Sequence, residues 1–187
     1  MSRDRWTEDR NLEINRTSHP WGAITLTPAQ QQALKRLEAR LEESPVHQPI
    51  CLVGPFGSGK TTLARYWLAQ HLQEPERGYL AFNRLLLKAI QQEESLDRLA
   101  GLPAKARLLL HIAAEDLLEA HFEEVDVLAL DCVELLQPYH ISPVALTAPY
   151  AARGYLVLIC LPDDPESGFR FELRPGEAVV IPLGGDR

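Results

Sequence analysis

The sequence predicts an α/β fold in three layers, in which helices cover both faces of a mostly parallel sheet of about five strands. Uninterrupted apolar runs of strand length occur at residues 50–53, 127–130 and 155–160, as in strands that are buried on both faces. Segments with apolar residues at helical spacing separate these runs, and strands that alternate with helices form parallel sheets. The first run also leads directly into a glycine-rich turn and a helix.

The chain is expected to divide into an N-terminal arm and one domain. Residues 1–26 are mostly polar before the sequence reaches Trp21 and Ile24, and we expect an extended arm that packs these two side chains. Residues 27–187 are expected to form a single domain, because a chain of this length suits one core.

The first helix is predicted to start at Thr27-Pro28, since threonine is a good N-cap and proline is tolerated at the first helical position. It should end near Ser44-Pro45. The apolar residues at helical spacing are Leu34, Leu37 and Leu41.

The first strand, residues 50–53, and a helix over residues 60–73 form the first strand–helix unit. A second strand at residues 78–83 then leads into a helix over residues 84–90. The helix at residues 60–73 is expected to bury one stripe of side chains: Leu63, Trp67, Leu68 and either His71 or Leu72.

The middle of the chain predicts a long helix and a buried strand. The helix opens at Pro103 and carries His111 and His121, which we expect to be surface or internally bonded histidines rather than ligands. The strand covers residues 125–131 and places Asp131 at its carboxyl end.

The last part of the chain supplies a helix at residues 143–152 and core strands at residues 155–160 and 178–182. Between these two strands, residues 169–174 alternate apolar and charged side chains with a period of two. That alternation predicts an exposed or edge strand.

The most specific motif is Gly-Pro-Phe-Gly-Ser-Gly-Lys-Thr at residues 54–61, which matches the P-loop pattern G-x-x-x-x-G-K-[ST] between a strand and a helix. The glycines let backbone N–H groups turn toward phosphate oxygens, and the helix adds its positive N-terminal end. The predicted ligand is ATP or GTP, with Mg²⁺. The residues predicted to bind it are Gly54, Pro55, Phe56, Gly57, Ser58, Gly59, Lys60, Thr61 and Thr62.

Three side chains are predicted to act on the phosphates and the metal ion. Lys60 reaches the β- and γ-phosphates, and the Thr61 hydroxyl ligates Mg²⁺. Asp131 is expected to hold the Mg²⁺ shell from the strand beside the P-loop strand. We therefore predict Lys60 and Asp131 as catalytic residues and Thr61 and Asp131 as the metal ligands, with an Asp that only caps its strand as the alternative for Asp131.

The water-activating position differs from that of many ATPases. They place a Glu immediately after the metal-binding Asp, whereas this chain has Cys132 there. Glu134 is the nearest substitute, and it is predicted either as the catalytic carboxylate or as a solvated turn residue. If Glu134 is too far from the γ-phosphate, hydrolysis should be slow or partner-dependent.

Arg170 and Arg174 are candidate arginine fingers, because they precede the last strand, where P-loop ATPases of the AAA+ type often carry one. Such a finger stabilises transition-state charge in a neighbouring subunit. The alternative is a solvated face of an edge strand. Asp163 occupies the place of a polar sensor, although a turn acid is the favoured interpretation.

The composition limits location and partners. Asp and Glu outnumber Lys and Arg by 26 to 19, so the chain alone, with a net charge of −7, is a poor candidate for sequence-independent DNA binding. No apolar run reaches membrane-spanning length, and the N-terminus does not resemble a secretory signal. Cys51, Cys132 and Cys160 each lie in an apolar run and are expected to be buried thiols. We expect a cytoplasmic protein without a membrane contact.

The P-loop, the strand end Asp131-Cys132-Val133-Glu134-Leu135-Leu136 and the segment Asn83-Arg84-Leu85-Leu86-Leu87 resemble the BrxF family of small P-loop proteins from type 3 bacteriophage-exclusion (BREX) systems. The resemblance covers residues 50–160, and the P-loop is its specific motif. It implies a phage-defence component that works with larger partners, among them a large ATPase and a DNA methyltransferase. Contact with nucleic acid is an expectation from the resemblance alone.

We accordingly expect an AAA+-like ATP-binding protein, a weak or partner-dependent ATPase that acts as an oligomeric or accessory subunit of a phage-defence or other DNA-acting complex. Since the sequence ends five residues after Pro182, no C-terminal helical lid is expected. The alternatives are a regulatory nucleotide switch with little turnover and a small-molecule kinase. The kinase is disfavoured because such enzymes carry an Arg-rich lid, and residues 137–154 contain only Arg153.

Overall fold

The computed structural model describes residues 20–43, 46–93 and 101–184. These residues form a six-stranded sheet in which five strands pair in parallel, in the order β2-β3-β4-β1-β6, while the short β5 pairs antiparallel with β4. The strands are β1 (Ile50–Gly54), β2 (Tyr79–Ala81), β3 (Val127–Asp131), β4 (Leu156–Asp164), β5 (Phe169–Arg170) and β6 (Val179–Pro182).

Helices cover both faces of this sheet. A short 3-10 helix, Pro75–Gly78, precedes β2, and another, Glu134–Tyr139, follows β3. The α-helices within the described residues are α1 (Pro28–Glu43), α2 (Lys60–His71), α3 (Phe82–Glu93), α4 (Pro103–Glu124) and α5 (Pro143–Ala152).

The core consists of two clusters, one on each face of the sheet. Leu37 of α1 packs with Leu158 of β4 in the cluster that also holds α2. Phe82 of α3 packs with Ile159 of β4 in the cluster that also holds α4 and α5. Leu158 and Ile159 serve different clusters because successive side chains of a strand point to opposite faces. The predicted α/β class, with a mostly parallel sheet between two helical layers, is confirmed.

The strand order corrects one expectation about the site. β4 lies between β1 and β3, so the prediction that Asp131 sits on the strand beside the P-loop strand is wrong. The chain leaves β1 through α2, forms β2 at the far edge, and fills the space between them with β3 and then β4. Asp131 therefore faces the P-loop across one intervening strand.

Two predicted strands are much shorter than expected. The strand predicted at residues 78–83 ends at Ala81, because the fully buried Phe82 begins α3. In the segment 169–174 only two residues pair with β4. Phe171 and Leu173 instead pack against the α3–α5 cluster, and this packing explains their alternation with charged residues.

The described part of the arm packs on the domain. Trp21 and Ile24 both lie against the α1–α2 cluster, and the Trp21 ring meets the Tyr79 ring edge-to-face, with centroids 5.7 Å apart. Residues 1–19 of the predicted arm and the predicted helix end at Ser44-Pro45 lie outside the described residues. No helix in the described part of the chain is both long and apolar enough to traverse a bilayer.

Candidate functional site

The predicted P-loop connects β1 to α2 at the carboxyl edge of the sheet, where parallel α/β folds bind their ligands. The nine predicted nucleotide-binding residues lie at the end of β1, in this turn or in the first turn of α2. Pro55, Phe56 and Gly57 are exposed, Ser58, Gly59, Thr61 and Thr62 are half-buried, and Gly54 and Lys60 are buried.

The shape of the loop depends on its glycines. Gly57 and Gly59 have φ angles of 75° and 87°, in the left-handed region that favours glycine. A Cβ at Gly59 would also collide with the side-chain amide of Gln30, and a Cβ at Gly54 would collide with the carbonyl oxygen of Leu183. The sequence motif is thus matched by a backbone that only glycine accommodates at these positions.

Lys60 lies inside the loop. Its Nζ donates hydrogen bonds to the carbonyl oxygens of Gly54 and Pro55, both at 2.8 Å, and to Ser58 Oγ at 3.3 Å. Burial lowers the pKa of Lys60, against the opposing effect of nearby acidic groups that include Asp131. The ammonium group is therefore held by neutral oxygens on the side of the loop where phosphates bind in P-loops.

The N-terminus of α2 opens toward the same space. Its N-cap, Gly59, carries no side chain, so no side-chain cap satisfies the first N–H groups of the helix. Helix termini of this kind bind anions through free N–H groups and the helix dipole. Thr61 and Thr62 belong to this first turn.

Asp131 is buried at the carboxyl end of β3. Its Oδ1 accepts a hydrogen bond from the N–H of Cys132 at 2.8 Å, and its Oδ2 accepts one from the Tyr79 hydroxyl at 2.7 Å. Although β4 intervenes, the negative charge of Asp131 partly offsets the lowering of the Lys60 pKa that burial causes. Each carboxylate oxygen has room for a second donor, so Asp131 fits the role of an acceptor for Mg²⁺-bound water.

Two residues that the sequence reasoning did not single out connect Asp131 to the arm. Arg65 of α2 donates from Nη2 to the Tyr79 hydroxyl oxygen at 3.1 Å. Its guanidinium lies 4.5 Å from the centre of the Tyr79 ring and 5.4 Å from that of Trp21. Burial, followed by the bond to Asp131, raises the pKa of Tyr79, which keeps the hydroxyl a donor. No local pattern could reveal this arrangement, because Tyr79 and Asp131 are 52 positions apart.

Asn83 organises the loop that follows β3. Its Nδ2 donates to Glu134 Oε2 at 2.9 Å, its Oδ1 accepts from the Leu135 N–H at 3.0 Å, and its own N–H donates to the Cys132 carbonyl oxygen at 2.8 Å. Cys132 adopts a φ of 55°, which is uncommon for a residue other than glycine. The negative charge of Glu134 also partly offsets the lowering of the Lys60 pKa by burial.

The two candidate arginine fingers differ in their positions. Arg170 on β5 places Nε 3.3 Å from Asp163 Oδ1, and the adjacent Phe169 ring contacts the Phe56 ring of the P-loop, with centroids 5.5 Å apart. Arg174 is exposed in the segment before β6. The structure therefore brings β5, the strand that carries Arg170, to the loop of its own chain.

The donor set fits magnesium bound together with phosphates. In the described residues, no group of three or more His, Cys, Asp or Glu side chains could hold a metal ion. Mg²⁺ in nucleotide sites uses one or two protein ligands and takes the others from phosphate and water. Thr61 and Asp131 would be those protein groups.

His111, His121 and the buried cysteines Cys51 and Cys160 lie in surroundings that do not form part of the candidate site. His121 Nε2 lies 2.8 Å from the carbonyl oxygen of Val127, and burial lowers its pKa. His111 is exposed and lies 3.5 Å from Glu115. Cys51 and Cys160 are buried, and burial raises the pKa of the Cys51 thiol to about 12.

No protein-family model, curated protein or solved structure matches the chain.

Proposed function

We propose that the protein binds a nucleoside triphosphate with Mg²⁺ through residues 54–62 and hydrolyses it slowly. The observation that carries the proposal is Lys60, whose amine lies buried inside a glycine-dependent loop at the start of α2. The buried Asp131 at the end of β3 supports it.

Binding exchanges the hydrogen bonds of Lys60 to Gly54 and Pro55 for bonds to phosphate oxygens, while the first N–H groups of α2 hold the same phosphates. The hydrogen bonds from Lys60 to phosphate oxygens are charge-assisted on both sides, and they are stronger than the bonds to neutral carbonyl oxygens that they replace. When bound, Mg²⁺ neutralises charge on the phosphates. Thr61 and Asp131 would hold it.

Hydrolysis needs a group that orients the attacking water, and Glu134 is proposed for this role. Water forms a bond to the γ-phosphorus, the bond to the β–γ bridging oxygen breaks, and the nucleoside diphosphate, phosphate and a proton are released. Glu134 already accepts a hydrogen bond from Asn83, and Cys132 occupies the usual Glu position. We therefore expect slow intrinsic turnover.

The Asn83–Glu134 hydrogen bond also favours a second candidate, a nucleotide switch that scarcely hydrolyses its ligand. The wider role is that of an AAA+-like accessory subunit in the cytoplasm that associates with itself. Its place beside larger partners in a phage-defence complex follows from the family resemblance alone.

The test is nucleotide affinity measured by calorimetry with ATP or GTP in the presence of Mg²⁺. We expect Lys60→Ala to weaken binding about 10- to 100-fold, because hydrogen bonds to charged groups contribute roughly 1.5–3 kcal/mol. The matched control is Lys88→Ala, which removes an exposed lysine from α3. Equal affinity of the Lys60→Ala variant and the unsubstituted protein would contradict the proposal.

A further inference from the structure

We propose that Arg170 binds the terminal phosphate of the nucleotide held by its own chain, and that Asp163 keeps Arg170 in position until that phosphate arrives. The inference rests on the proposed nucleotide site. It differs from the expected arginine finger, which would act on a neighbouring subunit.

The first support is the position of the β4–β5 hairpin. Pro162 of β4 pairs in register with Gly54, the first residue of the P-loop, so the next residue, Asp163, stands at the edge of the loop. Across the hairpin, Asp163 pairs in register with Arg170. The strand pairing therefore places Arg170 beside Asp163, the residue that follows the partner of Gly54.

The second support is that β5 itself contacts the P-loop, through a side chain that points to the face opposite Arg170. Phe169 meets Phe56 edge-to-face, with ring centroids 5.5 Å apart and an interplanar angle of 83°. β5 also contacts the 3-10 helix that begins at Glu134. β5, which carries Arg170, therefore lies close both to the P-loop and to the 3-10 helix that begins at the proposed water-orienting Glu134.

The third support is that the ion pair between Arg170 and Asp163 is weak. The Nε of Arg170 is 3.3 Å from Asp163 Oδ1, yet this buried oxygen has no hydrogen-bond partner, so the pair lacks hydrogen-bond geometry. The Arg170 side chain is 70% exposed, and exposed ion pairs contribute little to stability. A phosphate can accept two parallel hydrogen bonds from a guanidinium. Arg170 should therefore exchange Asp163 for the terminal phosphate.

The proposal is tested by comparing ATP with ADP, through displacement of a fluorescent nucleotide in the presence of Mg²⁺. We expect Arg170→Ala to weaken ATP binding about tenfold, as for one charge-assisted contact, and to leave ADP binding unchanged. Arg107→Ala on α4, an exposed arginine, is the matched control. Thermal unfolding monitors the integrity of each variant.

A double-mutant cycle tests the part assigned to Asp163. Asp163→Asn should strengthen ATP binding several-fold when Arg170 is present and have no effect in the Arg170→Ala background. An equal gain in both backgrounds would mean that Asp163 merely repels phosphate, and would overturn its proposed role.

The remaining outcomes separate the two proposals. If Arg170 acts within its own chain, the preference for ATP over ADP stays constant as the protein is diluted. A preference that falls on dilution, or one that is lost with Arg174→Ala and kept with Arg170→Ala, would overturn the inference while leaving the nucleotide site intact. If the unsubstituted protein binds neither ATP nor ADP, the proposed function fails and this inference fails with it.

Discussion

Asn83 and Glu134 show how one side chain can hold another in a defined place. Asn83 bonds to three different residues of the loop after β3, so its amide is fixed in both its donor and its acceptor roles. Glu134 accepts one of these bonds and is the carboxylate proposed to orient water. A substitution that removes the charge of Glu134 but keeps a hydrogen-bond acceptor should change hydrolysis without changing the conformation of the loop.

Glu134→Gln is that substitution, because the amide oxygen can still accept from Asn83. We expect nucleotide affinity to stay the same and turnover to fall about 100-fold or more, as for the loss of a general base. Phosphate release under saturating ATP provides the measurement, with the exposed Glu172→Gln as control. Unchanged turnover would show that Glu134 does not take part, and would favour the switch over the ATPase.

At the scale of elements, the sequence contained good information about local structure. Thr27-Pro28 opened α1, and the glycine-rich turn between β1 and α2 was recognisable because its signal is contained in eight consecutive residues. α5 was predicted with its observed bounds. These elements depend on capping, glycine geometry and short periodic runs, which are local properties.

The order of the strands could not be predicted in the same way. The placement of β4 between β1 and β3 depends on how α2 crosses the sheet. No residue pattern in β3 indicates which strands pair with it. The contacts of Asp131 with Tyr79, and of Tyr79 with Arg65, are equally non-local. The glycine-rich turn was therefore recognisable from sequence, whereas the contacts that hold Asp131 were not.

The Tyr79 hydroxyl joins β2, α2 and β3 at one point, and its loss gives an element-scale prediction. Tyr79→Phe keeps a ring that can contact Trp21 and Arg65, but it removes the donor to Asp131 and the acceptor of the Arg65 hydrogen bond. We expect the Mg²⁺ concentration needed for tight ATP binding to rise about tenfold, because residues that orient metal-binding groups typically contribute 10- to 100-fold in metal affinity.

Titration of ATP binding with Mg²⁺ measures this change, and Tyr66→Phe on the same helix as Arg65 serves as control. ATP binding without Mg²⁺ should not differ between the Tyr79→Phe variant and the unsubstituted protein. An equal loss with and without Mg²⁺ would instead indicate general damage to the loop and would contradict a role in orienting Asp131.

At the scale of the whole molecule, α1 connects the core to the P-loop. Thr27 and Gln30 form a reciprocal capping box at the start of α1, and Gln30 Nε2 also donates to the carbonyl oxygen of Gly59 at 3.3 Å. About two turns further along, Leu37 is fully buried against the sheet. The packing of α1 and the shape of the phosphate loop are therefore physically linked.

This link predicts that a core substitution in α1 affects both stability and binding. We expect Leu37→Ala to lower the free energy of unfolding by about 2–5 kcal/mol, the usual cost of truncating a buried leucine, whereas Leu108→Ala on the surface of α4 should change it by no more than about 0.5 kcal/mol. Urea unfolding followed by circular dichroism measures both variants. Because a ligand of the native state stabilises it by mass action, saturating MgATP should recover part of the loss. A Leu37→Ala variant that is as stable as the Leu108→Ala variant would contradict a stabilising role for the packing of α1 against the sheet.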